Sequence, residues 1–241
     1  MMLVHLPGDR SGVYVMSIMR DTWTEIPGHG EHKINAAMAL GGVPLMVQTV
    51  QGLVGVPIDH VAVIDFEGFK GLTDALGGVE VDNAQPFQSR GGDGEYFAAG
   101  PLTLQGGSAL KFVRERYAFA DGDYQRVRNQ QAFMRGLLSK LISAQTLGNP
   151  VRLHAAAGAI SPYLSVDEGL DAVRVGELAF ELRGVKAGDI EMFTLPNAGV
   201  GTSADGQSIV VPDAAATAAL AQALKTDQLS GFVAGLDAAT R

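Results

Sequence analysis

Residues 58–81 read IDHVAVIDFEGFKGLTDALGGVEV and predict a strand, a helix and a second strand in direct succession. The β-branched side chains over 58–65 favour an extended backbone. A helix is expected over about 66–76, because the Gly77-Gly78 pair supplies the left-handed conformation at which helices end. The alternating valines over 79–81 then predict a short strand. This order of elements is typical of an α/β fold.

The first residues predict that the sheet is mixed. The β-rich runs 1–6 and 13–19 flank a turn-forming stretch over 7–12, and together they predict a hairpin. A hairpin pairs its strands antiparallel, whereas parallel strands need a crossover that is usually a helix. We therefore predict a three-layer α/β/α sandwich with a central mixed sheet.

The rest of the chain continues the alternation of helices and strands. A loop is expected around Pro27, Gly28 and Gly30, and the glycine-rich residues 83–103 predict a long surface excursion or, alternatively, an irregular hairpin. Helices are predicted at about 35–41, 44–54, 105–112, 124–143, 151–158, 166–182 and 213–225, and strands near 189–195 and 208–212. No linker divides the chain, so residues 1–241 are expected to form a single domain that ends in a helical tail over 213–241.

Length and composition exclude several classes of protein. A chain of 241 residues with 46% apolar residues can bury a large core, so disorder is excluded. The 18 basic and 26 acidic residues give a net charge of −8, which argues against a nucleic-acid partner. The absence of cysteine excludes disulfides, zinc knuckles and thiol nucleophiles.

Residues 34–58 carry no charge but do not predict a membrane span. Glycines, two prolines, an asparagine and two glutamines interrupt the run, and lipid would leave their polar groups unsatisfied. Two amphipathic helices are expected instead. The chain begins within a predicted strand and without a signal peptide, so we expect that residues upstream of Met1 are missing.

Common catalytic and metal motifs are absent from the sequence. It has no P-loop, no complete dinucleotide fingerprint and no G-x-S-x-G elbow. His29, Glu31 and His32 are metal-ligand types, but they lie in a glycine-rich loop without the H-E-x-x-H spacing. A solvated loop is the favoured interpretation, with metal binding as the alternative.

Arginine is unevenly distributed along the chain. Of 12 arginines, five fall within 22 residues, at positions 114, 116, 126, 128 and 135. An extended backbone would point Arg114 and Arg116 to one face, and Arg126 and Gln130 share a face of the following helix. Because guanidinium forks match phosphate oxygens and helix N-termini attract anions, these side chains predict a pyrophosphate site. In the alternative, Asp123 caps the helix and pairs with Arg126 while the other arginines are solvated.

These residues, together with blocks before them, resemble the LytR-CpsA-Psr family of cell-envelope transferases. The resemblance covers nearly the first 145 residues and continues more loosely to about 213. It rests on ordered blocks at family-like spacing, namely SIMRDT (17–22), KINAA (33–37), IDH (58–60), DFEGF (65–69), DALGGVEV (74–81), LQG (104–106), AL (109–110), VRERY (113–117) and DYQRVRNQQ (123–131).

The resemblance implies a function and a fold. Family members transfer a glycan polymer from a polyprenyl-pyrophosphate carrier to a peptidoglycan hydroxyl, on the outer face of the cytoplasmic membrane. That donor, that acceptor and an extracytoplasmic location are therefore expected here. The family's α/β/α sandwich encloses a tunnel for the prenyl chain. The apolar helices over 35–54 would line such a tunnel or, equally well, form ordinary core.

The resemblance also implies roles for single residues. Residues that match pyrophosphate-binding or site-shaping positions, and that are expected to converge on one cleft, are Arg20, Lys33, Arg114, Arg116, Arg126 and Gln130. Arg114 and Arg126 would neutralise charge that develops during transfer. Asp123 is a candidate general base or, alternatively, a helix cap.

Two departures from the family pattern matter. Met19 stands where the family usually has proline, which affects rigidity more than chemistry. The acidic residues that hold Mg²⁺ in the family would fall before Met1, as would the membrane anchor, so no metal ligand is expected within this sequence. The nearest carboxylates, Asp21, Asp121 and Asp123, are expected to be loop partners or helix caps.

Two alternatives to the transferase stay open on the sequence. One is a non-catalytic module that binds lipid-linked or anionic glycans, which would agree with missing metal ligands. The other is a phosphatase or hydrolase that acts on polyprenyl pyrophosphate.

We expect this 241-residue chain to bind polyprenyl pyrophosphates but to release little phosphate in response to Mg²⁺. A hard cation needs carboxylate ligands, which arginines cannot replace. Phosphate release from a short prenyl diphosphate, with and without Mg²⁺, measures this. A version extended upstream through an acidic block is expected to recover the stimulation. Equal stimulation of both versions would contradict this placement of the metal ligands.

Overall fold

The computed structural model describes residues 1–90, 94–142, 158, 160–237 and 240. Residue contacts divide the chain into two units, both of which contain helices and strands. The terminal unit comprises Met1–Gly8, Tyr14–Asp59 and Glu191–Arg241, and the central unit comprises Asp9–Val13 and His60–Ile190. The predicted α/β fold class is confirmed.

The elements are named in chain order. The terminal unit contains β1 (Met2–His5), β2 (Val13–Ser17), β3 (Trp23–Ile26), β4 (Gly30–Lys33), α1 (Ala36–Val54), β11 (Ile190–Thr194), β12 (Asn197–Thr202), β13 (Ser208–Pro212), α6 (Ala214–Lys225) and α7 (Leu229–Ala234). The central unit contains β5 (Ala62–Val63), α2 (Phe66–Ala75), β6 (Val79–Asn83), β7 (Phe87–Gln88), β8 (Tyr96–Phe97), β9 (Gly100–Leu104), α3 (Gly106–Arg114), α4 (Asp123–Leu141), β10 (Ser165–Val166) and α5 (Ala172–Glu181).

The predicted N-terminal hairpin is present in the terminal unit. Strands β1 and β2 pair antiparallel, with Leu3 opposite Met16, and β11 lies on the other side of β2. Thr22, which follows β2, forms a parallel bridge with Val210 of β13. Antiparallel strand pairing and one isolated parallel bridge therefore both occur in this unit.

Helix α1 is kinked where two helices were expected. Gly41 and Gly42 depart from helical geometry, and Gly42 has a left-handed φ of 64° that favours glycine. Pro44 follows and cannot donate a backbone hydrogen bond, so the break is fixed by sequence. Gly55, also left-handed, ends the helix. The predicted division into residues 35–41 and 44–54 is confirmed.

The second half of α1 lies in the core of the terminal unit. Val50 and Val54 pack in one cluster with Phe193 of β11 and Leu220 of α6. Full burial of such side chains stabilises the fold by roughly 1.5–3 kcal/mol each. Among the described residues, α1 is the one helix long and apolar enough to cross a membrane by length and composition, and Val50 and Val54 of its second half pack in the core.

A hairpin replaces the loop expected around Pro27, Gly28 and Gly30. Strands β3 and β4 pair antiparallel on either side of this turn, and both glycines are left-handed. The strands have four residues each and carry several polar side chains, so their pattern resembles a loop. In the hairpin, His32 Nε2 contacts the carbonyl oxygen of His29 at 3.1 Å.

The central unit has a separate aromatic core. Strands β6 and β9 pair antiparallel, and the short hairpin of β7 and β8 lies between them in sequence. Phe87 and Phe97 face each other across that hairpin, with ring centroids 4.9 Å apart, and both contact Phe112 of α3. Residues 83–103 thus supply core side chains. The alternative of an irregular hairpin is confirmed, whereas the expectation of a surface excursion is wrong because Phe87 and Phe97 are buried against α3.

The strand-helix-strand stretch is largely confirmed. Asp65 caps α2 by accepting from the N–H of Gly68, and the left-handed Gly77 and Gly78 follow its last turn. The first strand is shorter than predicted, because β5 pairs only with the two residues of β10. Asp167, next to β10, accepts the backbone N–H of Val61 at 2.6 Å and contacts His60 Nδ1 at 3.2 Å. These hydrogen bonds lower the pKa of Asp167 to about 2.

Most of the remaining predicted elements are present with shifted boundaries. Helices α3, α4 and α6 and strands β11 and β13 lie where they are predicted. Helix α5 begins later than predicted, at a cap formed by Asp171, and β12 and α7 are additional elements. The helix predicted over 151–158 lies outside the described residues, apart from position 158.

Helix α4 packs unusually close to strand β6 in the central unit. A Cβ added at Gly136 would lie 2.0 Å from the carbonyl oxygen of Glu80, a distance that atoms in real structures do not adopt. Because the obstacle is backbone, it cannot turn aside as a side chain can. Glycine at this position therefore determines how closely the helix lies on the sheet.

Gly136→Ala is expected to destabilise the protein by about 3 kcal/mol, since helix and strand must separate to admit the methyl group. Thermal unfolding of the purified variant measures this. Gly107→Ala in α3 is the matched control, because no atom lies within 4 Å of the added methyl group. The control is expected to leave stability unchanged or slightly raised. Equal unfolding temperatures for the two variants would contradict the close approach.

Candidate functional site

Helix α3 ends where the arginine cluster begins. The helix continues through Arg114, and the N–H of Glu115 still donates to the carbonyl of Lys111 at 3.0 Å. The extended backbone that would point Arg114 and Arg116 to one face is not formed, because helical hydrogen bonds persist to this point. The two arginines project from a helix end and from the loop after it.

Glu115 organises that loop, a role that its sequence context does not predict. The residue is only 6% exposed. One carboxylate oxygen accepts the backbone N–H groups of Arg116, Tyr117 and Ala118 at 2.9, 2.7 and 3.1 Å. The other accepts the N–H of Arg90 at 2.7 Å. Hydrogen bonds to a charged group contribute roughly 1.5–3 kcal/mol each, which offsets the cost of burying the carboxylate.

Asp123 joins two of the predicted arginines. Its Oδ1 accepts from Arg116 Nη1 at 3.3 Å, and its Oδ2 accepts from Arg126 Nη2 at 2.9 Å. The expected cap role is wrong, because Asp123 is the first helical residue and Gly122 occupies the cap position. The predicted pair with Arg126 is present. The Arg126 side chain is only 14% exposed, so this ion pair is partly shielded from water.

Aromatic side chains contact the two arginines at the end of α3. Arg116 Nη2 donates to the hydroxyl of Tyr117 at 2.6 Å, and the guanidinium of Arg114 lies 4.2 Å from the ring centroid of Phe66. The hydrogen bond to the Tyr117 hydroxyl is the main cause that raises the pKa of Arg116 above its ordinary value. The neighbouring carboxylate of Asp123 contributes a smaller increase. Phe66 and Tyr117 are themselves exposed. These contacts orient the guanidiniums before any ligand arrives.

Gln130 lies at the junction of α3 and α4. The last carbonyls of a helix have no partner within it, and here α4 supplies two donors. Gln130 Nε2 donates to the carbonyl of Val113 at 3.0 Å, and Asn129 Nδ2 donates to that of Phe112 at 3.4 Å. Gln130 is therefore beside the arginine loop and holds the end of α3 in place.

The other two arginines of the sequence cluster are separate from this set. Arg128 pairs with Asp121 and donates through Nε to Gln125 Oε1 at 2.7 Å. This confirms Asp121 as a loop partner. Arg135 lies three turns along α4 on its exposed side.

Arg20 and Lys33 lie in the terminal unit and share one carboxylate. Asp21 Oδ1 is 3.2 Å from Arg20 Nε and 3.9 Å from Lys33 Nζ. The backbone of the same segment is fixed by Asn35, whose N–H donates to the carbonyl of Arg20 at 3.2 Å. Asp21 is thus a loop partner, as expected. Convergence of these two cations with the arginines of the central unit stays a prediction.

The carboxylates near the arginines do not form a fitting site for Mg²⁺. Asp21, Asp121 and Asp123 are each paired with cationic side chains. Within the described ranges, no three His, Asp or Glu side chains gather in a way that could hold a metal ion. A hard cation prefers several oxygen ligands, and binding here would displace guanidinium donors. No chemical step is therefore assigned to Mg²⁺.

The arrangement is suited to binding an anion with several oxygens. Two guanidiniums, those of Arg116 and Arg126, lie at the start of α4 with the negative charge of Asp123 between them, and Arg114 ends α3 with its guanidinium over Phe66. Each guanidinium carries five N–H donors, more than one carboxylate can occupy. Glu115 and Phe66 are the members of this region that sequence analysis missed, since neither a buried carboxylate nor an arginine–aromatic contact has a local sequence signal.

Comparison with known sequences identifies relatives over most of the chain. The sequence model of the LytR-CpsA-Psr family matches residues 1–226. The cell wall biosynthesis protein LcpA of Corynebacterium glutamicum is 31% identical over 243 residues, which cover 88% of this chain and 45% of LcpA. The polyisoprenyl-teichoic acid–peptidoglycan teichoic acid transferase TagU of Bacillus anthracis is 40% identical over 148 residues, which cover 61% of this chain and 48% of TagU. The chain spans about half the length of these relatives.

Solved structures share the fold. Crystalline TagV of Bacillus subtilis superposes with a TM-score of 0.80 at 24% identity, covering 90% of this chain and 84% of TagV. A LytR-Csp2A-Psr enzyme from Actinomyces oris gives a TM-score of 0.71 at 26% identity, covering 92% and 83% of the respective chains.

Asp123→Asn is expected to bind inorganic pyrophosphate several-fold more tightly than the unmodified chain at low ionic strength. The substitution removes the negative charge of Asp123, which lies beside Arg116 and Arg126 and repels the anionic pyrophosphate. Titration calorimetry measures the affinity. Asp121→Asn is the control, because its carboxylate pairs with Arg128 instead. Weaker binding by Asp123→Asn alone would show that the carboxylate matters more for orienting the arginines.

Proposed function

Because the chain belongs to the LytR-CpsA-Psr family, we propose that it transfers a glycan polymer from a polyprenyl-pyrophosphate carrier to peptidoglycan. The observation that carries this proposal is the pair of guanidiniums of Arg116 and Arg126 on Asp123 at the first turn of α4, with Arg114 at the end of α3. The names of the relatives LcpA and TagU support cell-wall biosynthesis, a polyisoprenyl-linked donor and a peptidoglycan acceptor.

The arginines would bind the pyrophosphate of the donor. Guanidinium and phosphate form charge-assisted, often paired hydrogen bonds. Arg116 and Arg126 are held by Asp123 before the ligand binds, so less side-chain freedom is lost on binding. Arg20 and Lys33, in the terminal unit, are proposed as pyrophosphate-binding residues because they match the family positions. Gln130 is proposed to hold the end of α3 beside the arginine loop.

In the proposed reaction, the acceptor hydroxyl oxygen forms a bond to the phosphorus that carries the glycan. The bond from that phosphorus to the bridging oxygen breaks, and prenyl monophosphate leaves with the electron pair. Negative charge grows on the leaving oxygen, where Arg114 and Arg126 would stabilise it. The hydroxyl proton passes to a base. Asp123 is poorly placed for that task because both of its oxygens already accept from guanidiniums.

The proposed location follows from the acceptor. Peptidoglycan lies outside the cytoplasmic membrane, and the polyprenyl carrier is held in that membrane. We therefore place the reaction at the outer membrane face, in the cell envelope. The net charge of −8 does not favour a nucleic-acid partner there.

Arg126→Ala is expected to reduce transfer from N-acetylglucosaminyl geranyl diphosphate to purified peptidoglycan by about tenfold or more, the scale of one charge-assisted hydrogen bond. Incorporation of radiolabelled sugar into peptidoglycan measures this. Arg135→Ala removes the same charge from an exposed position of the same helix and is expected to transfer normally.

The same assay separates the alternatives. Binding of the diphosphate without incorporation or phosphate release would favour a non-catalytic glycan-binding module. Release of phosphate without incorporation would favour a hydrolase. Equal losses for Arg126→Ala and Arg135→Ala would contradict the location of the site at the start of α4.

A further inference from the structure

We propose that Glu115 is a positioning residue, which fixes the direction of Arg116 by holding the backbone of the loop between α3 and α4. This inference rests on the proposed function, because it assigns Glu115 a task in binding the same pyrophosphate. The residue does not touch the ligand in this proposal. It acts through the backbone of Arg116.

The hydrogen bonds of Glu115 fix the peptide groups on both sides of Arg116. The N–H groups of Arg116, Tyr117 and Ala118 all point to one oxygen of this carboxylate. The carbonyl of Arg116 accepts from the N–H of Phe119 at 3.3 Å. Three successive N–H groups aimed at one point form a concave anion site. Here the chain's own carboxylate fills that site.

The direction of the Arg116 side chain depends on this backbone. A guanidinium lies at the end of a long stem, so a small rotation of the peptide plane moves it by a large distance. The side chain has to meet Tyr117 Oη at 2.6 Å and Asp123 Oδ1 at 3.3 Å. Asp123 in turn holds Arg126 at 2.9 Å. A shift of the loop would therefore alter two guanidiniums.

Glu115 also ties the loop to a second segment. Its other oxygen accepts the N–H of Arg90, 25 residues earlier in the chain. That segment follows β7, whose Phe87 packs against Phe112 of α3. The loop is thus anchored to the aromatic core from two directions. Removing the carboxylate would leave four backbone donors without their acceptor.

The test is a double-mutant cycle with inorganic pyrophosphate as the ligand. Glu115→Gln keeps the size of the side chain but turns one acceptor oxygen into a donor. We expect it to weaken pyrophosphate binding by about tenfold or more at a temperature well below unfolding. In an Arg116→Ala background, the same substitution is expected to change binding less than about twofold, because the group it positions is gone. Glu115→Gln is expected to lower the unfolding temperature both in the unmodified chain and in the Arg116→Ala variant.

Glu95→Gln is the matched control. Glu95 is a partly exposed carboxylate of the same unit, and it accepts from Ser108 and from Lys111 Nζ at 3.2 Å rather than from the arginine loop. This variant is expected to bind pyrophosphate as the unmodified chain does. If Glu115→Gln does not fold, Glu115→Asp keeps the charge with a shorter reach and enters the same cycle.

The outcomes separate this inference from the proposed function. Normal binding by Glu115→Gln, or an equal loss with and without Arg116, would show a purely structural role and overturn the inference. No pyrophosphate binding by the unmodified chain would overturn both. Binding that follows the expected cycle without any glycan transfer would overturn the transferase alone.

Discussion

The close approach of α4 to β6 at Gly136 is the constraint on which the central unit depends. No side chain can be placed between the helix and the carbonyl oxygen of Glu80, so glycine sets the separation of the two elements. The first turns of the same helix carry Asp123, Arg126 and Gln130. The position of the axis of α4 determines whether these three side chains can contact α3 and the loop after it. Packing at one end of α4 therefore determines geometry at the other.

Counter-charges explain how cations can be held close together before a ligand is present. Arg116 and Arg126 would repel each other without the carboxylate of Asp123 between them. In the terminal unit, Asp21 is placed in the same way between Arg20 and Lys33. Both carboxylates reduce the net charge that an anion meets. They also order the long arginine and lysine side chains before the ligand arrives. Less conformational entropy is then lost when the ligand binds.

Local signals in the sequence were sufficient for much of the fold. The cap at Asp65 and the glycines after α2 mark that helix within a few residues, because caps depend on neighbouring backbone. The hairpin of β3 and β4 is not predictable from the sequence, because four-residue strands with polar side chains carry little periodicity. At the site, the match of residues to family positions located the arginines. That match gives no role to Glu115. One of the four N–H groups that donate to its carboxylate belongs to Arg90, 25 residues earlier in the chain.

The same pairing of charges bears on metal binding. A carboxylate that already accepts two guanidiniums can coordinate a hard cation only by giving up those hydrogen bonds, and the released arginines would then face the cation's positive charge. For Asp123, coordination of Mg²⁺ would therefore work against the placement of Arg116 and Arg126. The arginine cluster and a metal thus need separate sets of carboxylates. Asp121 and Asp123 pair with arginines and therefore belong to the set that serves the arginine cluster.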